Sequence, residues 1–333
     1  MNIKSILSYL GILLIWAVVF DGLLYFLYSH PLFLQSWHRA AQSYYLDYER
    51  NIIQFDPRCA NYDSKLGYRL KQPGCIFENR EYKITVDVNQ LGVRDDNLSL
   101  DKPAVAVIGD SFAFGWGVEN SKIFPSLIES QLGLKTINAS IPSYGTAREL
   151  MLLSEVDTSK LRYLVLQFCE NDQDENISFI SHGGHLEAMT EEKYQKAAQN
   201  NPSRNHYFPG KLFRYLPKLF WKKLTASTPP ISSQPAHDKA KVLLETLKLS
   251  PVPLDKLEKI VIMEANPFYL LDPYFEEALK EEIAKDPDNQ IFKKISAINL
   301  AANLSKDDYF IFDDHWNENG HRKVAELVSS QLP

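Results

Sequence analysis

The chain has 333 residues, 45% hydrophobic and 23% charged, close to globular averages, which excludes a disordered chain and a polytopic membrane protein. A formal net charge of -6 removes any general attraction to nucleic acid, and no nucleic-acid motif is present, so nucleic acid is not an expected partner. The length permits two average domains, yet α/β folds of this size often form one.

Residues 6–28 carry a single charge, Asp21, over a length that crosses the ~30 Å hydrocarbon core as a helix. The run exceeds the about 7–15 apolar residues of a signal peptide, and no small-x-small cleavage site follows promptly. Residues 1–30 are therefore read as a transmembrane anchor with a short inner tail. Lys4 on one side and Arg39 and Arg50 on the other leave the positive-charge rule without a vote. Asp21 costs about 2.5–3.5 kcal/mol at the centre of a span. Because it lies past the middle, it is expected near the outer interface in water, with contact to another membrane protein as the alternative.

Residues 31–103 read as a juxtamembrane linker followed by a small β-rich lead-in, with turn signals around an alternating strand at 82–88. Of three cysteines, Cys59 and Cys75 flank a polar stretch that closes into a loop in an oxidising compartment, a bridge worth about 3 kcal/mol. Two buried thiols in a cytosolic protein are the alternative. With an anchor ahead of them, the bridged reading places the remaining chain in the periplasm or outside the cell, as a single-pass membrane protein with its N-terminus inside.

The main domain, residues 104–333, opens on an apolar β-branched run at 104–108. A helix at 121–132, a strand at 135–139, a helix at 146–156 and a buried strand at 163–168 follow. After an insertion near 177–258 come strands at 259–263 and 309–312, and a closing helix at 320–332. This alternation predicts an α/β fold, a parallel sheet covered by helices, with its active site beyond the carboxyl ends of the strands. Within the insertion, residues 207–223 mix basic and aromatic side chains. They read as an amphipathic lid interrupted by Pro217, or alternatively as a surface for anionic lipid or a chain of sugars.

Four strand ends carry candidate chemistry. Gly109-Asp110-Ser111 follows the first strand, where a hydroxyl reaches a bound acyl carbon; a helix N-cap uses the same residues. Asp313-Asp314-His315-Trp316-Asn317 follows the last, offering a histidine base and a carboxylate to orient it. Gly145 and Asn171 stand after the strands at 135–139 and 163–168, and a glycine N–H and an asparagine amide are both donors suited to an oxyanion. Cys169 beside Glu170 reads as a packing cysteine, since a neighbouring carboxylate disfavours a thiolate.

In order and spacing Gly109-Asp110-Ser111, Gly145, Asn171-Asp172 and Asp313-x-His315 resemble the four sequence blocks of the SGNH hydrolases, also called the GDSL family, over residues 104–333. The resemblance implies a flavodoxin-like three-layer α/β/α fold. Ser111 would be the nucleophile, His315 the base and Asp313 its partner, with Asp314 in reserve. The oxyanion hole would be built from the N–H groups of Ser111 and Gly145 and the side chain of Asn171. Cys169 stands where the family usually has glycine. The aspartate lies two residues before the histidine instead of three, a form that resembles membrane-linked members handling polysaccharide O-acetyl groups.

The expected activity is therefore serine-dependent hydrolysis or transfer of an acyl ester, foremost O-acetyl, on an extracytoplasmic carbohydrate, without a metal or organic cofactor. A membrane acyltransferase is the expected partner of the transferase form. A lipid or thioester esterase, and a catalytically silent carbohydrate-binding module of the same fold, are the alternatives.

Overall fold

The computed structural model describes residues 3–30, 38–201, 208–211, 213, 215, 217, 218, 221 and 234–333. The chain divides into two compact units, Met1–Arg50 with Ser203–Ile231, and Asn51–Pro202 with Ser232–Pro333. The segment 207–223 falls only partly within the described residues, and its described positions belong to the first unit.

In the first unit, helix α1 (Ile3–Ser29) has 27 residues, and its stretch Ile3–Leu27 is long and apolar enough to cross a membrane. Its large side chains, Leu13, Leu14 and Trp16 among them, are exposed. Helix α2 (His38–Tyr48) follows. Asp21 differs from its expected wet environment. It is fully buried, and its Oδ2 accepts a hydrogen bond from the N–H of Gly210 at 2.9 Å. A buried carboxylate costs less when a hydrogen-bond donor meets it.

The second unit begins with two antiparallel hairpins, β1 (Ala60–Asp63) with β2 (Gly67–Leu70) and β3 (Gly74–Glu78) with β4 (Lys83–Asp87). In β4 alternation sends Ile84 and Val86 inward, where they join Phe77 and the rings of Phe114 and Trp116. Cys59 and Cys75 are disulfide-bonded with their Cα atoms 5.3 Å apart, tying the first hairpin to the second.

A five-stranded parallel sheet follows, built from β5 (Val105–Ile108), β6 (Thr136–Asn138), β7 (Tyr163–Phe168), β8 (Lys259–Glu264) and β9 (Ile295–Ile298), in the order β6-β5-β7-β8-β9. Every residue of β5 and β7 is buried, because both faces of the sheet carry apolar clusters. Ala106, Ile108, Leu164 and Leu166 meet helices α5 (Thr146–Leu153), α8 (Gln234–Lys248) and α9 (Phe275–Ala284) on one face. Val105, Val107, Val165 and Val261 meet helices α4 (Phe124–Leu132) and α10 (Glu318–Ser329) on the other. The second unit also contains helices α3 (Ser111–Phe114), α6 (Asp172–Ser181) and α7 (Glu191–Asn200) among its described residues.

Two expectations need correction. Residues 309–312 do not form a sheet strand: Tyr309 makes a lone antiparallel bridge to Trp316, and the fifth strand is β9. The amides of Ile311, Phe312 and Asp313 are instead taken by the carboxylate of Glu81. The expected insertion also supplies α8, whose Ala240, Leu243 and Leu247 are part of the core against the sheet.

Candidate active site

The turn that carries Ser111 is held from below. Beyond β5, Asp110 caps α3 by accepting the Phe112 N–H at 3.0 Å, which places Ser111 at the first position of the helix. Gln167, a polar residue in the apolar strand β7, accepts the N–H groups of both Asp110 and Ala113 at 3.0 Å. Gly109 makes this approach possible, since a Cβ there would lie 2.5 Å from the Gln167 oxygen.

His315 reaches this turn from the loop before α10. Its Nε2 lies 2.6 Å from Ser111 Oγ, and its Nδ1 lies 2.6 Å from Asp313 Oδ1 and 3.1 Å from Asp314 Oδ1. Both carboxylates face Nδ1, so the ring carries a proton there and turns Nε2 to the serine. Burial opposes the imidazolium, but the charge and hydrogen bond of Asp313, helped by Asp314, outweigh it and push the histidine up to about 9.

The lead-in supplies much of the support. The second oxygen of Asp313, fully buried, accepts Tyr82 O–H at 3.0 Å and Trp116 Nε1–H at 3.1 Å. Trp116 also stacks on the His315 ring, with centroids 5.0 Å apart. Glu81, on the turn between β3 and β4, accepts the amides of Ile311, Phe312 and Asp313, each at 2.7 Å. Burial raises the Glu81 carboxyl and these three bonds oppose the shift. Glu81, Tyr82, Trp116 and Gln167 were not foreseen from sequence. Only Gln167, a glutamine inside an otherwise apolar strand, left a local signal.

The three expected oxyanion donors are placed differently from one another. Ser111 N–H opens a helix and has no intrahelical acceptor by its position. Asn171 is exposed and stands directly before α6. The N–H of Gly145 donates to Glu175 Oε1 at 3.1 Å, and the other oxygen of Glu175 pairs with Arg148. One of the three proposed donors, the Gly145 N–H, is thus already engaged.

Beneath them lie buried acids. Asp172 accepts from Thr146 Oγ1 at 3.2 Å and from the Cys169 N–H at 3.1 Å. Burial, reinforced by neighbouring carboxylates, pushes Asp172 and Glu149 well up, and the same surroundings push the Cys169 thiol well up. Cys169 donates to Asn266 Oδ1 at 3.2 Å, the contact of a packed thiol.

Among the described residues, Asp313, Asp314 and His315 lie close enough together to ligate a metal. Their atoms are better matched to one another. Asp313 Oδ1 and Asp314 Oδ1 both face His315 Nδ1, at 2.6 and 3.1 Å, the contacts of a protonated ring nitrogen with two carboxylates.

Compared with known proteins, the chain matches no family model and no curated protein.

Proposed function

We propose that the second unit is a serine esterase or O-acyltransferase of SGNH type, and that α1 holds it on a membrane. The observation that carries this reading is one line of short contacts, Ser111 Oγ to His315 Nε2 and His315 Nδ1 to Asp313 Oδ1, both 2.6 Å. Such a line moves a proton from hydroxyl to imidazole while the carboxylate stabilises the imidazolium. Numbered along the chain, the sheet order is 2-1-3-4-5, which supports the flavodoxin-like three-layer fold.

In the reaction, Ser111 Oγ attacks the ester carbonyl as His315 Nε2 accepts its proton. The tetrahedral oxyanion is met by Ser111 N–H and Asn171, and by Gly145 N–H once Glu175 is displaced. His315 then returns the proton to the leaving oxygen, and the acyl-enzyme passes its acyl group to water or to a sugar hydroxyl by the same base. The preferred substrate, a carbohydrate O-acetyl ester outside the cytoplasm, comes from the resemblance. The Cys59–Cys75 bridge supports an oxidising compartment. A membrane acyltransferase partner gains no support from Asp21, whose carboxylate is met by Gly210.

The engaged Gly145 donor favours one second reading, a silent binding module. Hydrolysis of a small aryl acetate by the full chain in detergent separates the two. The enzyme reading expects Ser111→Ala and His315→Ala each to lower kcat at least about a thousandfold. Equal rates for wild type and Ser111→Ala would end it. Acetate release that accelerates on adding an oligosaccharide acceptor would mark the transferase.

A further inference from the structure

Helix α1 is met by a distant part of its own chain near its C-terminal end. Asp21 takes the Gly210 N–H, and one residue earlier the ring of Phe20 lies 6.1 Å from that of Phe213. Lys211, beside Gly210, is only 2% exposed. Tyr215 stacks on Tyr48 of α2 at 3.8 Å, and Lys218 lies 5.9 Å over the Tyr215 ring. These contacts all belong to one compact unit.

Depth follows from helix geometry. The apolar stretch ends at Leu27, six residues beyond Asp21. At 1.5 Å per residue, Gly210 and Phe213 therefore meet the helix about 9 Å inside the apolar run. Phe208 and Phe213 are each 42% exposed and Trp221 is 69% exposed, on the same unit as the bare apolar surface of α1. Phe213 lies at this level beside Phe20, and exposed aromatic side chains of this kind have the composition of a membrane interface.

On the reading that α1 spans a membrane, we infer that the described residues 208–211, 213, 215, 217, 218 and 221 belong to a second membrane-embedded element. It dips into the leaflet where the chain leaves α1, docks on Asp21, and turns Phe208, Phe213 and Trp221 to lipid. The occupant of this surface is the lipid bilayer. An Asp21 carboxylate at that depth needs a donor from protein, and the dipping segment provides it.

The test uses the full chain in phosphatidylcholine–phosphatidylglycerol vesicles with single nitroxide labels at Leu14→Cys, Phe213→Cys, Trp221→Cys and Leu98→Cys. Cys59 and Cys75 are bonded and Cys169 is buried, so labelling is confined to the introduced thiol. Accessibility to oxygen and to a water-soluble nickel chelate is compared. Labels at Leu14, Phe213 and Trp221 should prefer oxygen, with a ratio several-fold above that of Leu98, which is exposed on the second unit. Nickel preference at Phe213 or Trp221 with oxygen preference at Leu14 overturns the dipping element and leaves the span standing. Nickel preference at Leu14 as well overturns both.

Discussion

His315 has two acids on one nitrogen, and this sets the pH behaviour of the proposed reaction. A base with its pKa pushed up to about 9 is protonated at neutral pH, so kcat/KM for an aryl acetate should rise through that value. Asp314 raises the histidine further, so Asp314→Asn should move the midpoint of this limb towards neutrality while sparing the plateau. Asp313→Asn removes the main counter-charge and should lower the plateau by roughly 10³–10⁴. The same pairing acts on stability. A histidine whose folded value lies above its unfolded value of about 6.5 stabilises fully below 6.5, and that stabilisation is lost as pH rises through about 9. The melting gap between wild type and His315→Asn should therefore be widest at pH 6 and close towards pH 10; a gap that widens with pH would contradict the pairing. Ser111, Asp313 and His315 were legible because each lies in a short local pattern. Tyr82, which bonds Asp313 across 231 positions, left no such pattern.

At the scale of elements, the β3–β4 hairpin is as much a part of the site as the sheet. Glu81 holds three successive amides of the loop that carries Asp313 and His315, two of them on the buried residues Phe312 and Asp313. Glu81→Ala strips these amides of their acceptor, at about 1–3 kcal/mol for each buried group left unpaired. Its expected signature is a lowered urea midpoint with a fall in kcat larger than the rise in KM, since the loop that carries Asp313 and His315 loses its anchor. Glu81→Gln keeps an acceptor oxygen and should fall between the two. This clamp also explains the misread strand. Phe310, Ile311 and Phe312 look like a strand in sequence, but their backbone is committed to Glu81 and to His315 O. The true fifth strand, Ile295–Ile298, is an edge strand whose first three residues are only partly buried and so lacks a strong apolar run. Strands β5, β7 and β8 were plain because a sheet covered on both faces writes continuous apolar runs.

Across the whole molecule, the segment between β7 and β8 has two fates, since Ser203–Ile231 groups with α1 while α8 lies in the core of the second unit. In sequence this interval reads as an insertion in which α8 is not recognisable, because α8 displays a narrow apolar stripe among charged residues. One of those charges is buried. Lys239 lies 2.8 Å from Glu264 at the end of β8 and 2.9 Å from Asp272, and all three side chains are largely out of water. Removing one partner of such a group leaves uncompensated charge, at about 3–5 kcal/mol. Lys239→Met should therefore lower unfolding stability by that order, whereas a dispensable surface insertion would tolerate it. The direction with pH distinguishes the cause. Burial pushes the Glu264 carboxyl up to about 7 even with Lys239 opposing, so in acid the carboxyl is already protonated and little is lost with the lysine. Above that value the glutamate of the wild type is ionised and paired, and the variant must either hold an unpaired charge or bind a proton. The stability deficit of Lys239→Met should accordingly grow as pH rises from about 5 to about 8, and Lys239→Met/Glu264→Gln should recover part of it. A deficit independent of pH would assign the loss to packing of the lysine stem instead of its charge.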